Sequence, residues 1–73
     1  MIEKKKYTLK QLRSLKEMSR EELAELTNLH YNTILKYEND VDSFRKSSYE
    51  TLEKIANALS VSVDDIFLGS NSV

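Results

Sequence analysis

The sequence contains no cysteine, no proline and no tryptophan, and it has one glycine and one histidine in 73 residues. Without cysteine there is no disulfide to hold the chain, and a lone histidine without thiols lacks the ligands of a structural zinc site. The shortage of glycine and the absence of proline argue against a turn-rich β fold and leave little material for a phosphate-cradling loop, so helices are the default. No apolar run approaches the roughly 20 residues of a membrane span, and the opening MIEKKKY lacks the apolar region of a signal peptide. A chain without thiols suits a reducing compartment, so a cytoplasmic location is expected. At this length the chain is one domain with a small core, whose stability must come from helix packing, from caps or from a second copy of itself.

The net charge of -1 argues against a nucleic-acid partner only until its distribution is read. Residues 4 to 20 carry Lys4, Lys5, Lys6, Lys10, Arg13, Lys16 and Arg20 against Glu17 alone, whereas residues 47 to 73 carry Lys54 against Glu50, Glu53, Asp64 and Asp65. The N-terminal part is basic and the C-terminal part acidic. Residues 1–7 read as a basic arm, 8–69 as the folded domain and 70–73 as a tail.

Helix punctuation is dense. Thr8 with Gln11 forms a capping box and Tyr7 with Leu12 a hydrophobic staple, which predicts a first helix ending near Glu17. Ser19 with Glu22 repeats the box and Met18 with Leu23 the staple, predicting a second helix from Arg20 to Leu26. The turn Thr27-Asn28-Leu29 follows, with Asn28 suited to the left-handed conformation that ends a helix. A third helix is predicted from Tyr31 to Glu38, with a weak cap at His30 or Leu29. Residues 39–47 read as a polar loop with Phe44 stranded in it. The fourth helix starts at Ser47 or Ser48 and buries Leu52, Ile55, Ala56 and Leu59 at 3-4 spacing. Ser62 with Asp65 opens a short fifth helix through Val63, Ile66, Phe67 and Leu68, ended by Gly69.

The stretch NLHYNTILKY is two-sided. On a helix turning about 100° per residue, Ile34 and Tyr37 suit a core, while Asn32 and Lys36 project outward with Leu35 beside them and Tyr31 at the tip. Two short helices joined by a sharp turn, the second with an outward row of hydrogen-bonding side chains, form the helix-turn-helix pattern, whose second helix fits the major groove. Tyr31, Asn32, Leu35 and Lys36 are the candidate base readers. Two alternatives stay open: Tyr31 packing between the second and third helices, and Leu35 serving a partner protein. Ser19 and Arg20 sit at a helix N-terminus that attracts phosphate, His30 starts the next helix, and Lys10, Lys16, Arg45 and Lys46 add charge for the DNA backbone. Ile66, Phe67 and Leu68 are three neighbours that cannot all face one core from a helix, which makes them the candidate dimer interface.

LKQLRSLKEMSREELAELTNLHYNTILKYEN followed by YETLEKIANALSVSVDDIF resembles the helix-turn-helix family of Cro and the phage repressors, also called the xenobiotic-response-element type. The likeness covers residues 8–68. It implies an all-α, five-helix, lambda-repressor-like domain that binds operator DNA as a two-fold dimer. By the same resemblance Arg13 and Glu38 match an ion pair joining the first helix to the end of the third. The chain departs from the family pattern at Arg20, often Gln there, at Asn28, usually Gly, and at His30, usually Ser or Thr. The segment from Asn39 to Ser48 is also longer than the common form.

These readings give a sequence-specific DNA-binding regulator, a repressor on a pseudo-palindromic operator, with double-stranded DNA and a second copy as partners and a protein effector as a further one. No cofactor, metal, membrane or small-molecule ligand is implied. The alternative from another class is an antitoxin-like or anti-repressor interaction module on the same fold, which a large apolar patch including Leu35 and Phe44 favours. Catalysis has no support, since no nucleophile is paired with a base.

Overall fold

The computed structural model describes residues 5–69. The first four residues of the expected basic arm and the whole expected tail lie outside the described residues. Five helices follow one another: α1 (Leu9–Leu15), α2 (Arg20–Thr27), α3 (Tyr31–Asn39), α4 (Val41–Arg45) and α5 (Tyr49–Ala58), with a 3-10 turn at Val63–Asp65. Among the described residues the extended backbone pairs only in a parallel bridge between Tyr7 and Ile66.

The helix starts follow local chemistry. The Gln11 amide N–H donates to Thr8 Oγ1 at 3.1 Å and the Thr8 N–H to Gln11 Oε1 at 2.9 Å. Ser19 and Glu22 repeat this at the start of α2, with bonds of 2.9 and 3.0 Å. Each box satisfies two amide donors that a helix start leaves unpaired.

The helix ends are less conventional. α1 stops at Leu15, short of the expected Glu17, because Glu17 itself takes a left-handed conformation with φ 53°. Its N–H bonds the Ser14 carbonyl and that of Met18 the Arg13 carbonyl, each at 3.0 Å, the paired closure that turns a helix sharply. Asn28 (φ 59°) closes α2 and Ser60 (φ 59°) closes α5 in the same way. Gly69, at φ 89°, lies beyond these three turns, and a Cβ there would meet the Arg45 guanidinium at 3.1 Å. With its only glycine at Gly69, the chain makes all three helix closures with residues that carry a Cβ.

Two expectations need correcting. The segment read as a polar loop contains α4. Asp40 caps it, accepting from the Asp42 and Ser43 amides at 3.1 and 3.4 Å and from the Ser43 hydroxyl at 2.9 Å. The Ser43 hydroxyl bond, followed by its amide, holds the Asp40 carboxyl below its ordinary pKa. Phe44 is not stranded: it is 1% exposed and stacks on Tyr37 with ring centroids 5.2 Å apart.

The second correction concerns the C-terminal segment. The expected fifth helix through Leu68 shrinks to the 3-10 turn, after which the backbone is extended at Ile66 (φ -94°, ψ 132°). The cause is non-local: the Tyr7 N–H donates to the Asp65 carbonyl at 3.1 Å and the Phe67 N–H to the Tyr7 carbonyl at 2.7 Å. Extended backbone alternates its side chains, so Ile66 points inward while Phe67 remains 38% exposed and Leu68 is half-buried. Ile66, at 1% exposure, belongs to the chain's own core and is not free to meet a second subunit.

The core draws on every helix: Leu9 and Leu12 of α1, Leu23 and Ala24 of α2, Ile34 of α3, Phe44 of α4, and Leu52, Ile55 and Ala56 of α5, closed by Leu59 and Ile66. Each large member contributes about 1.5–3 kcal/mol of transfer free energy. None of these helices is long enough to be stable alone, so this shared burial is what makes them persist.

Candidate nucleic-acid interface

The turn between α2 and α3 is built by three residues with different tasks. Asn28 supplies the left-handed bend, Leu29 packs half-buried against the core, and His30 caps α3 with backbone alone, its side chain exposed and making no cap bond. At the end of α2 the buried Thr27 returns its hydroxyl to the Leu23 carbonyl at 2.7 Å, which lets a polar side chain sit under the turn.

α3 has a dry side and a wet side. Ile34 is fully buried and Tyr37 rests on Phe44. Asn32 and Lys36 are exposed, and Tyr31 is 38% exposed. Leu35 is half-buried rather than bare on the outer face. One further residue belongs to the exposed row. Asn39 is exposed and, seven positions after Asn32, returns to the same helix face. The spacing was visible in the sequence, but ending the third helix at Glu38 hid it.

Beneath this row lies a charge cluster. The Glu38 side chain, 1% exposed, accepts from Arg13 Nε at 2.6 Å and from Arg13 Nη2 at 3.4 Å. A second arginine reaches the same carboxylate: Arg20 Nε donates to Glu38 Oε1 at 2.9 Å. Arg13 also donates through Nη1 to the Met18 carbonyl at 2.9 Å, in the α1–α2 turn. One buried carboxylate at the end of α3 thus ties down α1, the first turn and the start of α2. The arginine side chains are 13% and 29% exposed, so their outer edges stay hydrated. The Glu38 carboxylate, accepting from Arg20, raises the Arg20 pKa, and the group is a permanent cation. Nothing in the local sequence pairs Arg20 with Glu38, 18 positions away.

The other basic candidates fall into two groups. Arg45 pairs with Asp42 at 2.9 Å and reaches toward the Leu68 carbonyl at 3.5 Å, so it serves α4 and the C-terminal segment. Ser19 has committed its amide to Glu22. Lys10, Lys16 and Lys46 are exposed. Lys10 and Lys16 line grooves along the outer side of α1 beside Tyr7 and Leu15, and Lys16 shares its groove with Val61 and Asp65. The site therefore has a polar row on α3, flanked by a fixed guanidinium at the start of α2.

Among the described residues no helix is long and apolar enough to cross a membrane, and no group of His, Cys, Asp or Glu is placed to hold a metal ion. A tight α2–α3 pair with a polar outer face on the second helix defines a helix-turn-helix DNA-binding domain. The helix-turn-helix family model, of the Cro and C1 type, matches residues 9–66, and the chain belongs to that family. Its domain is a DNA-binding one, generally of transcription regulators rather than of enzymes. No curated protein and no solved structure matches the chain.

Proposed function

We propose that the chain is a sequence-specific transcriptional repressor that binds a pseudo-palindromic operator as a homodimer, with α3 in the major groove. The observation that carries this reading is the exposed row Asn32, Lys36 and Asn39 on a helix whose opposite face, at Ile34, is fully buried. Any amphipathic surface helix has a polar outer face, so what favours base edges here is that the row follows a sharp two-helix turn in a chain of the helix-turn-helix family. The interaction-module alternative relied on an apolar patch of Leu35 and Phe44. With Phe44 1% exposed and Leu35 half-buried, the two form no such patch.

An Asn amide both donates and accepts, matching adenine N6 and N7, while the Lys ammonium only donates and prefers guanine O6 and N7. Asn32 therefore selects adenine and Lys36 guanine. The expected loss for Asn32→Ala or Lys36→Ala is about 1–3 kcal/mol of discrimination at one base pair per half-site, doubled on a full operator if the half-sites act independently. Sites are first selected from a random DNA pool, and binding is then compared over every single-base variant. If both alanine variants keep wild-type preferences, α3 is not the reader.

The second subunit is assigned to the C-terminal segment, where Phe67 is the large apolar side chain left exposed and Leu68 is half-buried beside it. Phe67→Ala is expected to weaken self-association and operator binding together. Sedimentation of wild type as a monomer at high micromolar concentration, with tight operator binding, contradicts the dimer.

A further inference from the structure

From Lys5 to Lys16 the chain holds Lys5, Lys6, Lys10, Arg13 and Lys16 and no carboxylate. Arg13 spends its charge on Glu38, but neither Lys10 nor Lys16 has a carboxylate partner among the described residues. Near these lysines stands Leu15, at 65% the most exposed of the described large apolar side chains. A single exposed leucine is ordinary. This one, however, forms with Tyr7 the shared wall of two grooves, one reaching Lys10 and the other running past Lys5 and Lys16 to Val61. Both grooves are walled mainly by apolar atoms. Their common floor is fixed, because the Tyr7 N–H donates to the Asp65 carbonyl at 3.1 Å, the Tyr7 carbonyl accepts from the Phe67 N–H at 2.7 Å, and the Lys5 ammonium lies 5.6 Å from the ring centre. The one acid in the lining, Asp65, has its carboxylate engaged by the Ser62 N–H at 3.0 Å and hydroxyl at 3.1 Å. The surface is preformed, apolar along its middle and positive on balance.

We infer that this face of α1 docks an acidic protein segment with apolar anchors, which covers Leu15 and sets its carboxylates against Lys5, Lys10 and Lys16. Charge complementarity selects the sign of the partner. The DNA backbone offers the lysines the same sign of charge but no apolar side chain to cover Leu15, so the leucine selects a protein. Direction argues the same way: at about 100° per residue, Leu15 lies roughly 160° around α1 from Arg13, the residue that meets Glu38 of α3. The grooves open away from α3. A segment seated there leaves Asn32 and Lys36 uncovered, so this partner joins the DNA-bound protein instead of competing with DNA. Lys10 and Lys16 thereby leave the set of phosphate contacts.

The experiment pans a display library of random peptides over the full chain without DNA, so that failure of the repressor reading leaves its outcome untouched. Enriched peptides should be acidic, with leucine or aromatic residues among the carboxylates. Synthesised with a fluorescent label, they should bind Leu15→Ser at least about tenfold more weakly than wild type, the scale of one buried leucine. Lys10→Glu combined with Lys16→Glu should weaken them by a similar factor, more at low salt than at high salt. All three positions are exposed, so these variants are expected to fold, and melting curves run alongside check this. The labelled peptide should stay bound when selected operator DNA is added; its release puts the site on the DNA face and overturns the proposal. No enrichment, or enriched peptides that bind Leu15→Ser as well as wild type, overturns it outright. Wild type that yields no acidic peptide but binds phosphatidylglycerol vesicles through Leu15 has a lipid surface as its partner, and a Leu15-dependent shift in sedimentation makes a second copy the occupant. Either result overturns the acidic segment. A loss of DNA affinity in the double lysine variant with peptide binding unchanged returns Lys10 and Lys16 to the phosphate backbone and overturns it too.

Discussion

Glu38→Ala is expected to remove about 3 kcal/mol of folding stability, out of a total on the order of 4–11 kcal/mol for a domain of this size. The carboxylate is 1% exposed and holds two guanidiniums, so its loss leaves two cations facing each other without a counter-charge. Breaking a buried pair by removing one partner costs about 3–5 kcal/mol. The lower end applies because the arginine side chains are 13% and 29% exposed and can turn their charge toward water. The two arginines should differ from Glu38 and from each other. Arg20→Ala leaves Glu38 paired with Arg13 and should cost the least of the three. Arg13→Ala also frees the Met18 carbonyl and should fall between the other two variants. Urea denaturation followed by circular dichroism gives the order directly. A Glu38→Ala midpoint within 1 kcal/mol of wild type, on the usual linear extrapolation, shows that the cluster is not what fixes α3.

The helix-turn-helix was legible because its signals are local. Thr8 with Gln11 and Ser19 with Glu22 bond within three residues, and Asn28 bends the chain by its own backbone preference. The same is true of the wet and dry sides of α3, which follow from helical spacing alone. What escaped the sequence depends on residues far apart. Arg20 meets Glu38 across 18 positions, with nothing in either neighbourhood to signal it. The turn after Ser62 carries a helix-start signal, but Tyr7 takes its backbone groups from the other end of the domain. α4 was missed for another reason: five residues are too few to display a period, and its single buried side chain looks like an outlier in a polar segment. Asp40 ahead of Val41 was the one cue to it, as an N-cap.

Phe44→Ala is expected to be the most damaging change outside the charge cluster, for the same reason that α4 was hard to read. A helix of five residues has no stability of its own, and only Phe44 anchors it in the core. The ring is 1% exposed and stacks on Tyr37 at 5.2 Å, so it also braces the C-terminal half of α3. Truncating a buried phenylalanine costs about 3–5 kcal/mol, which at about 4–8 °C per kcal/mol lowers the melting temperature by at least roughly 12 °C. Phe44→Leu keeps much of the volume and should lose less than half as much, separating the cavity from the loss of the stacked ring. Hydrogen exchange locates the damage. The amides of Phe44 and Lys46, bonded to the Asp40 and Asp42 carbonyls, should lose protection first in Phe44→Ala, while those of α2 follow the global loss. The base preference of the folded fraction should persist, because Asn32 lies on the exposed face near the start of α3, away from the cavity. A melting temperature within about 5 °C of wild type means that Val41 and Arg45, with the Asp40 cap, hold α4 without the ring.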